Sequence, residues 1–408
     1  MTSWENLEAS ARRVERLTAD LAARDEEFWG VIQGAFSGNR ALLNLNNGGV
    51  SPSPDLVTEA LCRYSLQQED VPTRTMWEIM EPRMEEIRTG LAAQFGCDRE
   101  EIAITRNASE SLETLLFGLD LEAGDEILAT AQEYPRMLTA IRQRERREGV
   151  ALRLVTFPTP PRSPQDILDA IASGITSRTR VILVSHVVFL TGQIMPVKEV
   201  CALGRSQGIE VIVDGAHAFA HLDFKRADLG CDYFCASLHK WLCAPKGTGF
   251  LFVRREKIES VWPLMAAEPD QSADIRKFEE TGTRSAATRL AIGEALRFHT
   301  CVGGARKEAR LRLLRERWTT PLSRMPNVRF PTGLDEDAAC GIATVGIDGV
   351  SPEALQSHLF ANHSILTVAI AHDQVQGIRV TPNVYTTLAE LDRFVGVMEQ
   401  TARHGLPK

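Results

Sequence analysis

From about residue 102 to 253 the chain alternates short β-rich runs with helix-like spacers. The runs are EIAIT, EILAT, ALRLVTF, RVILVSHVV, EVIVDG, DYFCAS and GTGFLFV. Between them, ILDAIASGI (167–175) and VKEVCALGRSQG (197–208) read as helices, the second ending in a Gly suited to a helix C-terminus. This alternation predicts an α/β layer with a largely parallel sheet. Ahead of it, Trp4, Leu7, Ala11, Val14, Leu17, Leu21 and Phe28 recur at spacings of three and four, which predicts an amphipathic helical arm over residues 3–36. The segment LNLNNGGVSPSP (43–54) has paired Asn, paired Gly and two Pro, and predicts a loop able to approach a ligand. After residue 290 come an Arg-rich helix (289–318), a strand pattern (339–349), a helix near 352–362, the run GIRV and a last helix after 387. That texture predicts a smaller α+β domain. The expected division is an arm over 1–45, a large domain over 46–295 and a small domain over 296–408. No internal repeat of 20–50 residues breaks this pattern.

Composition narrows the function. Of the 408 residues 44% are apolar and 25% charged, close to an ordinary globular protein, so disorder is not expected. The net charge of −8 disfavours tracking a phosphate backbone, and nucleic acid is not an expected partner. The eight cysteines form no C-x-x-C pair, so a reducing compartment is expected rather than a disulfide framework or a zinc knuckle. With no signal-peptide pattern and no 18-residue apolar run, the expected location is the cytoplasm, away from membranes. Among 46 basic residues only eight are lysines, so lysine chemistry has few candidates.

Asp214 closes the run EVIVDG, and the carboxyl ends of parallel strands are where open α/β sheets bind ligands. An Asp at that point can also simply cap a turn. Lys240 lies in the apolar stretch CASLHKWLCAP, just before a Gly-rich turn. Burial there would lower its pKa and free the amine to attack an aldehyde, unless its ammonium snorkels to water. TRNASESL (105–112) follows one run and opens a helix, so N–H groups near Ala108 and Ser109 can hold a phosphate, although N-x-S-E also reads as a plain cap. His217 and His221 are four apart, yet no third ligand follows at zincin spacing and no metal is expected. No G-x-G-x-x-G follows the early strands, which disfavours an NAD-dependent dehydrogenase.

Together VDGAHAF and SLHKW resemble the paired motifs of class V aminotransferases, which are pyridoxal 5'-phosphate enzymes of fold type I and include cysteine desulfurases and isopenicillin N epimerase. The resemblance covers about residues 43–400. It implies a large domain with a mostly parallel seven-stranded sheet sandwiched by helices, plus a smaller α+β C-terminal domain. It also implies that Lys240 bonds the cofactor and later moves the substrate Cα proton, while Asp214 holds the pyridine nitrogen protonated. His217 is implied at the cofactor's phenolic oxygen, and Ala108, Ser109, Ser237 and His239 at its phosphate. Tyr134 stands where desulfurases carry a stacking His, and its phenol can stack or donate a proton. Thr283, in TGTRSAAT, is implied to reach the partner's cofactor phosphate across a homodimer. Arg379 is implied to fork onto the substrate α-carboxylate, with Asn47 a second substrate contact.

Within that family, persulfide chemistry needs a thiol shortly before the carboxylate-binding Arg, and residues 364–378 contain no Cys. Cys340 reads as a buried structural thiol. LNNGGVSPSP, SHVVFLTGQIMPV and GIRVTPNVY look most like isopenicillin N epimerase and the C–S lyases that cleave cysteine conjugates or their sulfoxides. All begin by removing the Cα proton from an amino acid. Elimination, epimerisation and transamination then diverge, and β-elimination of a cysteine conjugate or sulfoxide is the expected outcome.

Overall fold

A computed structural model describes residues 3–407; the first two residues of the expected arm, and Lys408, lie outside the described residues. The arm is three helices, Trp4–Val14, Ala19–Ala23 and Glu26–Gln33, rather than one. Thr18 and Asp25 break it, because their side chains accept the N–H groups of Leu21 and Phe28 and start new helices. Leu17 and Leu21 are therefore left exposed, while Leu7, Val14 and Phe28 are buried as expected, together with Trp29 and Ile32.

The strands are β1 (Leu43–Asn44), β2 (Ile102–Thr105), β3 (Glu126–Thr130), β4 (Ala151–Val155), β5 (Thr179–Ser185), β6 (Glu210–Asp214), β7 (Tyr233–Ser237), β8 (Gly249–Val253), β9 (Val328–Arg329), β10 (Ala343–Ile347), β11 (Ile365–Leu366), β12 (Val368–His372) and β13 (Val375–Val380). β2 to β8 form one seven-stranded sheet in the order β2-β8-β7-β6-β5-β3-β4, in which only β8 runs antiparallel to its neighbours. The mostly parallel sheet read from the sequence is thus present.

Side chains alternate across this sheet with period two. Val181, Leu183, Ile212, Tyr233, Cys235 and Leu251 enter one apolar layer, packed under helices Ala108–Gly118 and Pro135–Glu148. Ile182, Val184, Val211, Val213, Phe234 and Phe250 enter the other, under helices Met84–Phe95, Pro164–Gly174 and Val197–Ser206. With both faces covered, polar groups of the inner strands meet a ligand only at strand ends. β4, at the edge, is more exposed and carries Arg153, which suits an unpaired edge.

β9, β10, β12 and β13 form a four-stranded antiparallel sheet, backed by helices Gly304–Leu322, Pro352–His363 and Leu388–His404. The expected Arg-rich helix begins in the end of helix Ala286–Leu290 and continues as two more helices, Ile292–Val302 and Gly304–Leu322, the latter two broken where Gly303 takes φ 81°, a left-handed conformation that a side chain would strain. The boundary expected at 295/296 falls inside helix Ile292–Val302. Residues 43–46, expected in a loop at the end of the arm, instead join the C-terminal region. β1 pairs parallel with β11, and Asn46 bridges to Thr381. Among the described residues no helix is long and apolar enough to cross a membrane.

Candidate active site

The carboxyl ends of β2, β3, β5, β6 and β7 open into a cavity of about 610 Å³. Asp214, at the end of β6, is buried on its floor and accepts the Ala216 N–H at 2.9 Å through one oxygen. That bond is the turn cap expected of such an Asp, and it leaves the second oxygen for the cavity. Burial pushes the Asp214 pKa up, opposed by the Ala216 N–H and by Lys240.

Lys240 follows β7 and faces the same space. It lines the cavity and is partly buried; desolvation pushes its pKa down to about 8, Asp214 opposing and Arg379 assisting. Lys240 Nζ lies 3.1 Å from His217 Nε2, and Trp241 Nε1 donates to His217 Nδ1 at 3.4 Å. Burial holds His217 well below its ordinary pKa. With Nδ1 accepting, the neutral ring carries its proton on Nε2, which can be donated to Lys240 only when that amine is itself unprotonated.

The start of helix Ala108–Gly118 supplies the next group of donors. Asn107 caps the helix through Glu110 N, while the Ala108 N–H meets Ser237 Oγ at 3.0 Å. Gly249 permits this approach, since a Cβ there would lie 2.6 Å from the Asn107 Cα. His239 has a buried Nδ1 without a partner, and burial lowers its pKa to about 4. The hydroxyls of Ser237 and of Ser109, which also lines the cavity, the helix N-terminus and the unpaired His239 ring nitrogen form a polar cradle for an oxyanion.

On the opposite side Arg379, from β13, donates to Phe189 O at 2.8 Å and to Asn46 Oδ1 at 3.2 Å, while its buried Nε has no partner. Burial lowers its pKa to about 10, which leaves it cationic at neutral pH. Tyr134 packs edge-on against Phe189, ring centroids 5.6 Å apart.

Ala108, Ser109, Tyr134, Asp214, His217, Ser237, His239, Lys240 and Arg379 therefore share one cavity. Asn47 does not reach it. It is fully buried, and its side chain is spent on Asn44, Ser51, Thr381 and Tyr385, so Asn46 rather than Asn47 touches Arg379. Thr283 is exposed and lies outside the cavity of its own chain. His221 spends both ring nitrogens on backbone, His217 O and Gly341 N, and stacks on Trp241. No cysteine lines the cavity, and Cys340 is buried.

Sequence reasoning passed over Glu133, Ser185, Phe189 and Arg136. Glu133 is buried beside the cavity, accepting Thr130 Oγ1 at 2.8 Å and Ser185 Oγ at 2.5 Å; burial, with Asp214 nearby, drives its pKa up to about 7 although both hydroxyls oppose the rise. Its only sequence signal is a lone Glu three residues beyond an apolar run, next to Tyr134.

The sequence profile described as "Aminotransferase class-V" matches residues 43–394. The chain belongs to the class V aminotransferase family. As a member it is a pyridoxal-phosphate-dependent enzyme, and the donor set at Ala108, Ser237 and His239, with Asp214 and Lys240 beyond it, fits that cofactor. Over 388 residues this class V chain is 28% identical to isopenicillin N epimerase of Streptomyces clavuligerus, covering 91% of this chain and 98% of the relative. Its fold is that of a cystine C–S lyase solved with cysteine persulfide (TM-score 0.78, 24% identity, 88% of this chain and 97% of that chain). The cysteine desulfurase CsdA of Escherichia coli is equally similar in fold (TM-score 0.79, 21% identity, 93% and 99%).

Proposed function

We propose that the protein is a C–S lyase that eliminates the β-substituent of an S-substituted cysteine or its sulfoxide. The observation that carries this reading is a cavity uniting a lysine of pKa about 8, a buried arginine and a phenol, with no thiol among its lining residues.

Bound pyridoxal phosphate supplies an electron sink that acidifies the substrate Cα–H. Asp214 keeps a proton on the cofactor's pyridine nitrogen, and Ala108, Ser109, Ser237 and His239 orient its phosphate. His217 donates toward the cofactor's phenolic oxygen. Arg379 holds the substrate α-carboxylate, an arrangement that uses the unpaired Nε. Lys240 takes the Cα proton, and the Tyr134 hydroxyl gives a proton to the departing sulfur or sulfenate oxygen. Cleavage of Cα–H and Cβ–S would then release thiol or sulfenic acid and, after hydrolysis of the remaining aminoacrylate, pyruvate and ammonia. The unit is read as a homodimer in which the exposed Thr283 of each chain reaches the other's phosphate site, and a solution mass of twice 45.2 kDa is its check.

A second reading, amino-acid epimerisation, draws on the 28% identity to the epimerase across nearly the whole of both chains. In it Tyr134 reprotonates Cα from the face opposite Lys240. Proton NMR in D₂O with the cofactor and a panel of S-substituted cysteines separates the two. Pyruvate release that Tyr134→Phe slows about 10–100-fold, with cofactor binding unchanged, supports the lyase. Deuterium exchange at Cα without fragmentation overturns it in favour of the epimerase.

A further inference from the structure

A second guanidinium, exposed at the rim of the cavity, is not used by the reaction. Arg136 lines the cavity from the first turn of helix Pro135–Glu148, two residues beyond Tyr134. Among the described residues its side chain makes no hydrogen bond or ion pair. That first turn contains no acidic residue, and Tyr134, at the N-cap position, makes no side-chain cap. A cation at a helix N-terminus works against the helix dipole, and here no carboxylate lies within ion-pair reach to offset the cost.

The order of strands separates Arg136 from the phosphate cradle. Ser237 and His239 follow β7, whereas Tyr134 and Arg136 follow β3, three strand positions away across β6 and β5. At about 4.8 Å per position the two ends lie roughly 14 Å apart. The Arg136 end is also the substrate end, because Tyr134 packs on Phe189, and Phe189 O holds Arg379. The cavity carries apolar Val187, Phe189, Val368 and Ile370 as well, which suits a hydrocarbon stem. Its one lining carboxylate is the buried Asp214.

We propose that Arg136 selects α-amino acids whose side chain ends in a second anionic group, the α-carboxylate going to Arg379 and the distal anion to Arg136. This rests on the cavity being the amino-acid site proposed above, and it deepens that reading by naming a substrate class. The recognition is charge-assisted at a solvent-facing rim, so it weakens with added salt.

The test uses cofactor-loaded enzyme and two ligands differing chiefly in the distal carboxylate, S-(2-carboxyethyl)cysteine and S-propylcysteine. Their affinities are measured by calorimetry and their turnover separately, so a failed lyase reading leaves the binding result standing. The wild type should bind the diacid about tenfold or more tighter; Arg136→Gln should erase that preference without moving S-propylcysteine, and Arg136→Lys should restore part of it. Equal affinity of the wild type for the two ligands, or binding of neither, overturns the proposal. So does an Arg136→Gln enzyme whose defect is loss of cofactor affinity, which would assign Arg136 to the phosphate instead.

Discussion

Asp214, Ser237, His239 and Lys240 stand at the ends of two neighbouring strands, on short loops leaving a sheet whose two faces are both buried. Gly48, Phe189, Ile370 and Arg379, on the other side of the same cavity, come from four segments that meet only where the N-terminal strand and the C-terminal sheet join, with Asn46 bonding Arg379 from behind. The first side is held by strand pairing and apolar packing. The second is held by a web of polar contacts: Thr381 N to Leu45 O, Gly48 N to Thr381 Oγ1, and Tyr385 Oη to Asn47 Oδ1. The difference suggests a division of labour. On the function proposed above, the groups assigned to the cofactor are set on the sheet, while those assigned to a variable substrate sit on the junction, where a small shift of one segment would reshape the cavity without disturbing the core.

Removing the amine on the sheet side should have the largest effect. Lys240→Ala is expected to lower kcat by about 10⁴-fold or more, since both the covalent link and the Cα proton carrier go. The absorbance of the lysine-linked cofactor should vanish with it, while amino-acid binding persists. An enzyme that kept its spectrum would remove Lys240 from its assigned place.

On the junction side Arg379→Ala should act on binding. Loss of a buried charge partner costs about 2–5 kcal/mol, so kcat/KM should fall about 30- to 5,000-fold, mostly through KM, with the cofactor spectrum intact. If kcat alone collapsed, as for the lysine variant, the two sides would not divide the work.

How much was legible follows the same line. VDGAHAF and SLHKW are contiguous, each bringing its functional residue to a strand end, so local pattern was enough to place Asp214, His217, Ser237, His239 and Lys240 in one cavity. The alternating runs sufficed for the sheet because each strand buries its own apolar residues. The junction is different. Nothing in LNLNN says that β1 will pair with β11, or that Asn47 will turn inward to Thr381 and Tyr385 while Asn46 meets Arg379, because those partners lie more than three hundred residues away. The arm failed in another way. Its apolar spacing runs through Thr18 and Asp25, yet a side-chain cap outweighs periodicity at those two points and leaves Leu21 in solvent.

Glu133 stands between the two sides, tied to β3 through Thr130 and to β5 through Ser185, which itself pairs in register with Asp214. It should give the smallest effect on turnover and a distinct one on stability. Its carboxyl group has an ordinary pKa of 4.5 and is raised to about 7 in the folded chain. As pH rises past 4.5 the unfolded chain gives up this proton while the folded chain keeps it. Folding stability from this group therefore falls through the window from 4.5 to about 7 and stays lost above it, by at most about 3 kcal/mol. Glu133→Gln carries no such proton. Relative to the wild type it should be more stable at pH 8 than at pH 4, whatever its absolute stability, and turnover at saturating substrate should stay within about threefold. Thermal melts of both proteins across that range are the check. Parallel stability curves would mean that Glu133 does not titrate in this window, and that the hydroxyls of Thr130 and Ser185 hold it as an ordinary carboxylate beneath the site.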